Sequence, residues 1–238
     1  MNRIVRSSLL ACTILSNIAV ANNIDVGKTY LKVGVGISNY ENNEGFSHNN
    51  TGDTVTLKYN WDNTTAYKIG MGYKVNKYFT TELIYQRNNT TKLEGDFYLN
   101  GVYDNDRGTT YIKIESIRIN ALLDIKAILN KSWKISPYIG IGIGYAKNKH
   151  SDTTWKSSTD KVLGDVDIST LYSAIVGATY PISKKFFIDT AYSYTDYGTA
   201  QSSRLVEDNS GAAIGSIDEP FKVDIKSQEL FVSLRYVF

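Results

Sequence analysis

Along most of the chain apolar residues return at every second position, the period that gathers them on one face of an extended strand. Leu31, Val33, Val35 and Ile37 alternate with Lys32, Gly34, Gly36 and Ser38. Tyr67, Ile69, Met71, Tyr73 and Val75 alternate with Lys68, Gly70, Gly72 and Lys74, and the next run sets Phe79, Thr81, Leu83 and Tyr85 against Thr80, Glu82, Ile84 and Gln86. A fourth run opposes Ile117, Ile119, Ala121, Leu123 and Ile125 to Ser116, Arg118, Asn120, Leu122 and Asp124. The fifth, PYIGIGIGYA from Pro137 to Ala146, opposes Ile139, Ile141, Ile143 and Tyr145 to Gly140, Gly142 and Gly144. The sixth sets Ile168, Tyr172, Ala174, Val176, Ala178 and Tyr180 against Ser169, Ser173, Gly177 and Thr179, with Leu171 and Ile175 outside the rule. Phe186, Ile188, Tyr192 and Tyr194 against Asp189, Ala191, Ser193 and Thr195 form the seventh run, and Leu230, Val232, Leu234, Tyr236 and Phe238 against Glu229, Ser233 and Arg235 the eighth.

Eight strands is an even count, and the connections alternate between long ones of about 20 to 27 residues and short ones at Asn76–Tyr78, Asn130–Trp133 and Pro181–Lys185. Long loops at one end and short turns at the other are the layout of a barrel that crosses an outer membrane. The second face of the runs supports this. A soluble barrel would carry solvated Lys, Glu and Thr there, whereas these rows mix Gly and Ser with isolated charges, as a narrow, side-chain-filled lumen requires. The apolar face then meets lipid, its aromatics supply interfacial girdles, and closure removes the strand edge that hydrocarbon does not tolerate. The expected fold is all-β: an eight-stranded antiparallel transmembrane β-barrel with long extracellular loops and short periplasmic turns. Alternation also occurs within the long connections, at Val55, Leu57, Tyr59 and Trp61 and at Leu93, Phe97 and Leu99, so a projecting rim and a count of ten strands stay open.

Composition adjusts this picture at the N-terminus. Residues 1–21 read as a signal peptide, with basic Arg3 and Arg6, an apolar stretch and an Ala19-Val20-Ala21 cleavage site, leaving residues 22–238 as the barrel domain. Cys12 is the only cysteine, and too few apolar residues precede it for lipoprotein processing at Leu9–Cys12, so the mature chain has no thiol chemistry. Without Arg3 and Arg6 the 26 basic residues become 24, equal to the 24 acidic ones, and nothing points to nucleic acid. No stretch is long and apolar enough for a membrane-spanning helix.

The glycine-alternating run, the segment from ATYPIS (Ala178–Ser183) to YSYTDYG (Tyr192–Gly198) and the terminal LFVSLRYVF resemble the small outer-membrane β-barrel surface proteins of the OmpA, OmpX and opacity-protein type, a porin-like family. The resemblance covers the whole mature chain. It implies residence in the outer membrane of a Gram-negative bacterium after cleavage near Ala21, contact with outer-membrane lipid, and an assembly signal at Tyr236 and Phe238 read by the barrel-assembly machinery. It says little about activity, because such proteins share a wall and differ in their loops. The peptidoglycan-binding domain that follows the barrel in full-length OmpA is not expected.

Candidate chemistry is sparse. His48 and His150 read as solvated loop histidines, neither set in a strand beside a serine, so no catalytic residue is named and no enzyme is expected. Asp104, Asp106 and Gly108 with Glu115 approach a calcium loop, but Thr109 stands where Gly is needed; no metal and no cofactor is expected. By parity Lys32, Lys68, Lys74, Glu82, Arg118, Asp124, Asp189, Glu229 and Arg235 point inward, and near-balance implies pairing, with Glu82 and Arg118 a candidate pair. Such a network reads as a structural plug. What remains is the surface of the loops, whose aromatics Phe46, Trp61, Phe97, Tyr103, Trp155 and Phe221 are candidate anchors for a host or matrix macromolecule. The expected role is a monomeric surface antigen or adhesin, with a small porin or channel for ions or small solutes as the alternative.

Overall fold

The computed structural model describes residues 27–42, 44–48 and 54–238; the expected signal peptide, with Cys12 and the expected cleavage site, lies outside the described residues. Fourteen strands follow in chain order with one short helix. They are β1 (Thr29–Tyr40), β2 (Glu44–His48), β3 (Thr54–Trp61), β4 (Thr64–Lys74), β5 (Phe79–Asn88), β6 (Thr91–Leu99) and β7 (Val102–Asp124). After helix α1 (Ile125–Ile128) come β8 (Ser136–His150), β9 (Thr153–Trp155), β10 (Lys161–Gly164), β11 (Val166–Pro181), β12 (Phe186–Glu207), β13 (Ala213–Ser216) and β14 (Lys222–Val237).

Eight of these close a ring of antiparallel pairs, β1–β4–β5–β7–β8–β11–β12–β14, and β14 returns to β1 with Tyr30 opposite Val237 and Tyr40 opposite Ser227. Outward positions carry the apolar row: Val35, Ile69, Ile119, Ile141 and Val232 are each about half exposed or more. In a soluble protein so broad an apolar surface would drive aggregation, and here it is the lipid-facing band. The short turns at one end are built by side-chain acceptors. Asn76 Oδ1 accepts from the amides of Tyr78 and Phe79 at 2.8 and 2.9 Å, and Ser183 Oγ accepts from that of Phe186 at 3.1 Å. Asp124 caps α1 by accepting from the Ala127 amide at 2.9 Å.

At the other end the chain does not dissolve into loops. A second ring stands on the first: the upper parts of β14, β12 and β7 are joined through β2, β3 and β6 on one side and through β9 and β10 on the other. Most of the residues expected as four loops are therefore strand. The rim suggested by the alternation around Leu57 and Leu93 is a closed outer tier, and the membrane ring keeps eight strands.

Side-chain direction runs unbroken through both tiers while its chemistry inverts. On β7 the inward row reads Ile112, Ile114, then Ser116, Arg118, Asn120; the outward row reads Lys113, Glu115, then Ile117, Ile119. On β14 Val223 and Ile225 point inward above Ser227 and Glu229. The outer tier is thus apolar inside and polar outside, as water demands, and the lower tier the reverse. A bulge in β12 between Asp196 and Thr199, with Gly198 at φ 74°, falls at the junction and keeps Tyr197 and Ala200 both inside. Leu171 and Ile175, which break the alternation of the sixth run, are inward residues, both buried.

Candidate functional site

The lumen of the lower tier is filled by two carboxylate-centred layers. In the first, Glu82 on β5 accepts from the Tyr30 hydroxyl and the Lys32 ammonium, each at 2.5 Å, and from Asn120 Nδ2 at 3.2 Å. Beside it Asp189 on β12 accepts from Arg235 Nη2 at 2.6 Å, Tyr138 at 3.0 Å and Thr179 at 3.1 Å, with Lys32 at 3.4 Å. In the second layer Glu229 on β14 accepts from Tyr197 at 2.6 Å, Gln86 at 2.8 Å and Ser38 at 3.0 Å. Lys68 lies against the face of the fully buried Phe231, 4.1 Å from the ring centroid.

Of the inward charges read from the sequence, Lys32, Lys68, Glu82, Arg118, Asp189 and Glu229 are buried in this lumen and Arg235 nearly so. Lys74 instead lies exposed at the short-turn end, and Asp124 is taken up as the cap of α1. The pairing of Glu82 with Arg118 is not made. Arg118 stands opposite Ile84 and Gly144 in the ladders and approaches Glu229, its Nη1 at 4.0 Å, whereas Glu82 pairs with Lys32 two strands away, over Gly70 and Gly72 of the intervening β4. The glycine row of β8 answers to the same crowding. A Cβ on Gly140 would meet the Leu122 side chain, on Gly142 the Asn120 amide, and on Gly144 the Ile117 carbonyl.

The outer tier is closed inside by an apolar cluster in which Leu57, Leu93, Ile112, Leu171, Tyr197 and Ile225 are fully or almost fully buried. This corrects the loop aromatics. Phe221 is 4% exposed, and Trp61, Phe97 and Trp155 pack against the cluster, Trp155 edge-on to both Phe97 and Phe221. Their large apolar surfaces are spent mainly on closing the tier, with Trp61, Phe97 and Trp155 left partly exposed. Tyr103 is the exception at 48% exposed, lining an outward cleft of about 380 Å³ with Glu94, Arg107, Trp155 and Lys156; Arg107 Nη2 is held there 2.9 Å from Asp96. The side chains of Phe46 and His48 lie outside the described residues.

His150 is also corrected, from a solvated histidine to one that is 1% exposed under the tier wall, with Nδ1 2.7 Å from the Ser151 carbonyl oxygen. Burial holds its imidazole below the ordinary range. Among the described residues no three His, Cys, Asp or Glu side chains converge as metal ligands.

No curated protein matches the sequence significantly. Among solved structures, the outer membrane protein OprG from Pseudomonas aeruginosa superposes with a TM-score of 0.60 at 15% identity, over 90% of this chain and 97% of OprG. The outer membrane protease OmpT from Escherichia coli gives 0.51 at 7% identity, over 92% and 99% of the two chains. Both are likenesses of fold. The sequence profile of the outer membrane protein beta-barrel domain matches residues 8–238, and with a closed, lipid-banded barrel beneath it the chain belongs to that family.

Proposed function

We propose that this protein is a surface-presented binding protein, an antigen or adhesin, whose working part is the outer tier. The observation that carries this reading is the tier itself: a closed ring with its own apolar interior, standing above the lipid band on continuous strands. A plug or a wall needs no such structure, whereas rigid scaffolds that display a surface do. The outward cleft beside Tyr103 and Arg107 is the anchor point, since exposed aromatics and arginines dominate protein contacts. The final connection carries Asp196, Glu207, Asp208, Asp218, Glu219 and Asp224 against Arg204 and Lys222, so a basic patch on the partner is favoured there and binding weakens with salt.

Trimming the tier tests this. Cells displaying the parent should adhere to host cells or matrix proteins, and cells displaying a barrel with β2–β3 and β9–β10 each replaced by a short turn should not. Heat-modifiable gel migration reports that the lower barrel has assembled in both. Equal adhesion by parent and trimmed protein, or none by the parent, sinks the reading. Steady large conductance of the parent in planar bilayers would then put the small-channel role in its place.

A further inference from the structure

We propose that the short-turn mouth of the barrel is a binding site for a phosphate-bearing anion, on the side of the membrane opposite the outer tier. A cavity of about 550 Å³ opens there between the first residues of β1, the β4–β5 turn, α1 and the β11–β12 turn. Six lysines line it: Lys28, Lys74, Lys126, Lys134, Lys184 and Lys185. They come from four separate stretches of chain, so no single basic run accounts for their meeting. Asp124 supplies the one carboxylate side chain lining the cavity among the described residues, and it is committed to the Ala127 amide; the terminal Phe238 lines it as well. Among the described residues no carboxylate lies within 4 Å of the ammonium groups of Lys74, Lys126, Lys134 or Lys184.

On the floor Arg235 lies 4.1 Å over the Tyr30 ring and is already compensated by Asp189 at 2.6 Å and Glu82 at 3.8 Å, so the charge left unbalanced at the mouth is that of the lysines. Like charges gathered around a concave surface repel one another, and a multiply charged, many-oxygen anion relieves that cost more fully than a single carboxylate. Leu122, Phe187 and Val237 on the walls would take an apolar or organic portion attached to the phosphate. A lipid headgroup from the adjoining leaflet and a free phosphate compound share this chemistry.

The two sources separate in one experiment. The mature protein, labelled for NMR, is folded in phosphatidylcholine nanodiscs and titrated with inorganic pyrophosphate against sodium chloride of equal ionic strength. In parallel it is folded in nanodiscs containing phosphatidylglycerol. Saturable shifts at Lys126, Tyr138 and Val237, with Tyr197 unmoved, are expected. Binding should weaken by at least about tenfold when Lys74, Lys126, Lys134 and Lys184 are all changed to Gln, and survive when they are changed to Arg. Shifts with pyrophosphate assign a free phosphate compound, and shifts with phosphatidylglycerol alone assign a headgroup. No shift with either, or unchanged binding by the Gln variant, overturns the proposal.

Discussion

Glu82 holds together groups that have no other way to be buried. Its carboxylate accepts from Tyr30, Lys32 and Asn120, all three buried, with the nearly buried Arg235 at 3.8 Å. Glu82→Ala leaves the Lys32 and Arg235 cations against Asp189 alone, and should cost about 3–5 kcal/mol in the denaturant unfolding of detergent-folded protein. His150 gives a prediction outside the membrane. Because burial lowers its folded-state pKa, the unfolded imidazole, with its ordinary value near 6.5, takes up a proton first. The contribution of the neutral ring is therefore complete above that value and is lost as the pH falls towards the folded-state one. Protease resistance of the outer tier should decline from pH 7 to pH 5; His150→Gln should flatten that decline, and His48→Gln should leave it in place. Parity alone identifies most of the buried charges. It does not find their partners, because over a strand stripped to glycine, as β4 is at Gly70 and Gly72, a side chain two strands away, such as Lys32 from Glu82, comes closer than one on the adjacent strand.

At the scale of the strand, β8 shows why glycine recurs on an inward face. At Gly144 an added Cβ would run into the carbonyl of Ile117 and the backbone of Arg118, which cannot give without breaking the ladder to β7. Gly144→Ala should lower the temperature at which the barrel loses its compact gel form, whereas Gly215→Ala, with nothing within 4 Å, should leave it unchanged. The lipid-facing runs are easy to read because one chemistry persists for four or five alternations. The outer tier was harder to see. On β14 the apolar residues occupy odd positions at Val223 and Ile225 and even positions from Leu230 to Leu234, with no change in the direction of the chain. That phase switch is the sequence signature of leaving the membrane. The bulge of β12, by contrast, depends on Gly198 and leaves only a one-residue slip.

For the whole molecule, the order of assembly and the filled lumen each carry an expectation. Phe238 ends the chain beside Tyr236, edge-on at 5.5 Å, on the lipid-facing row of the strand that closes the ring. Deleting it, or changing it to Asp, should reduce the amount of protein in the outer membrane while synthesis is unchanged, as fractionation would report. With Phe231, Lys68 and the two carboxylate layers across the lower lumen and an apolar cluster above, planar bilayers should record no large steady conductance. Residues 102–116 of β7 stand above the point where the outward row turns apolar, with a bulge at 104–106 where Asn105 takes a φ of 54°. At about 3.3 Å per residue outside the bulge and a tilt of about 40°, they rise up to about 30 Å over the hydrocarbon. The barrel thus lifts Tyr103 above the bilayer by as much as the thickness of the bilayer's own apolar core, about 30 Å.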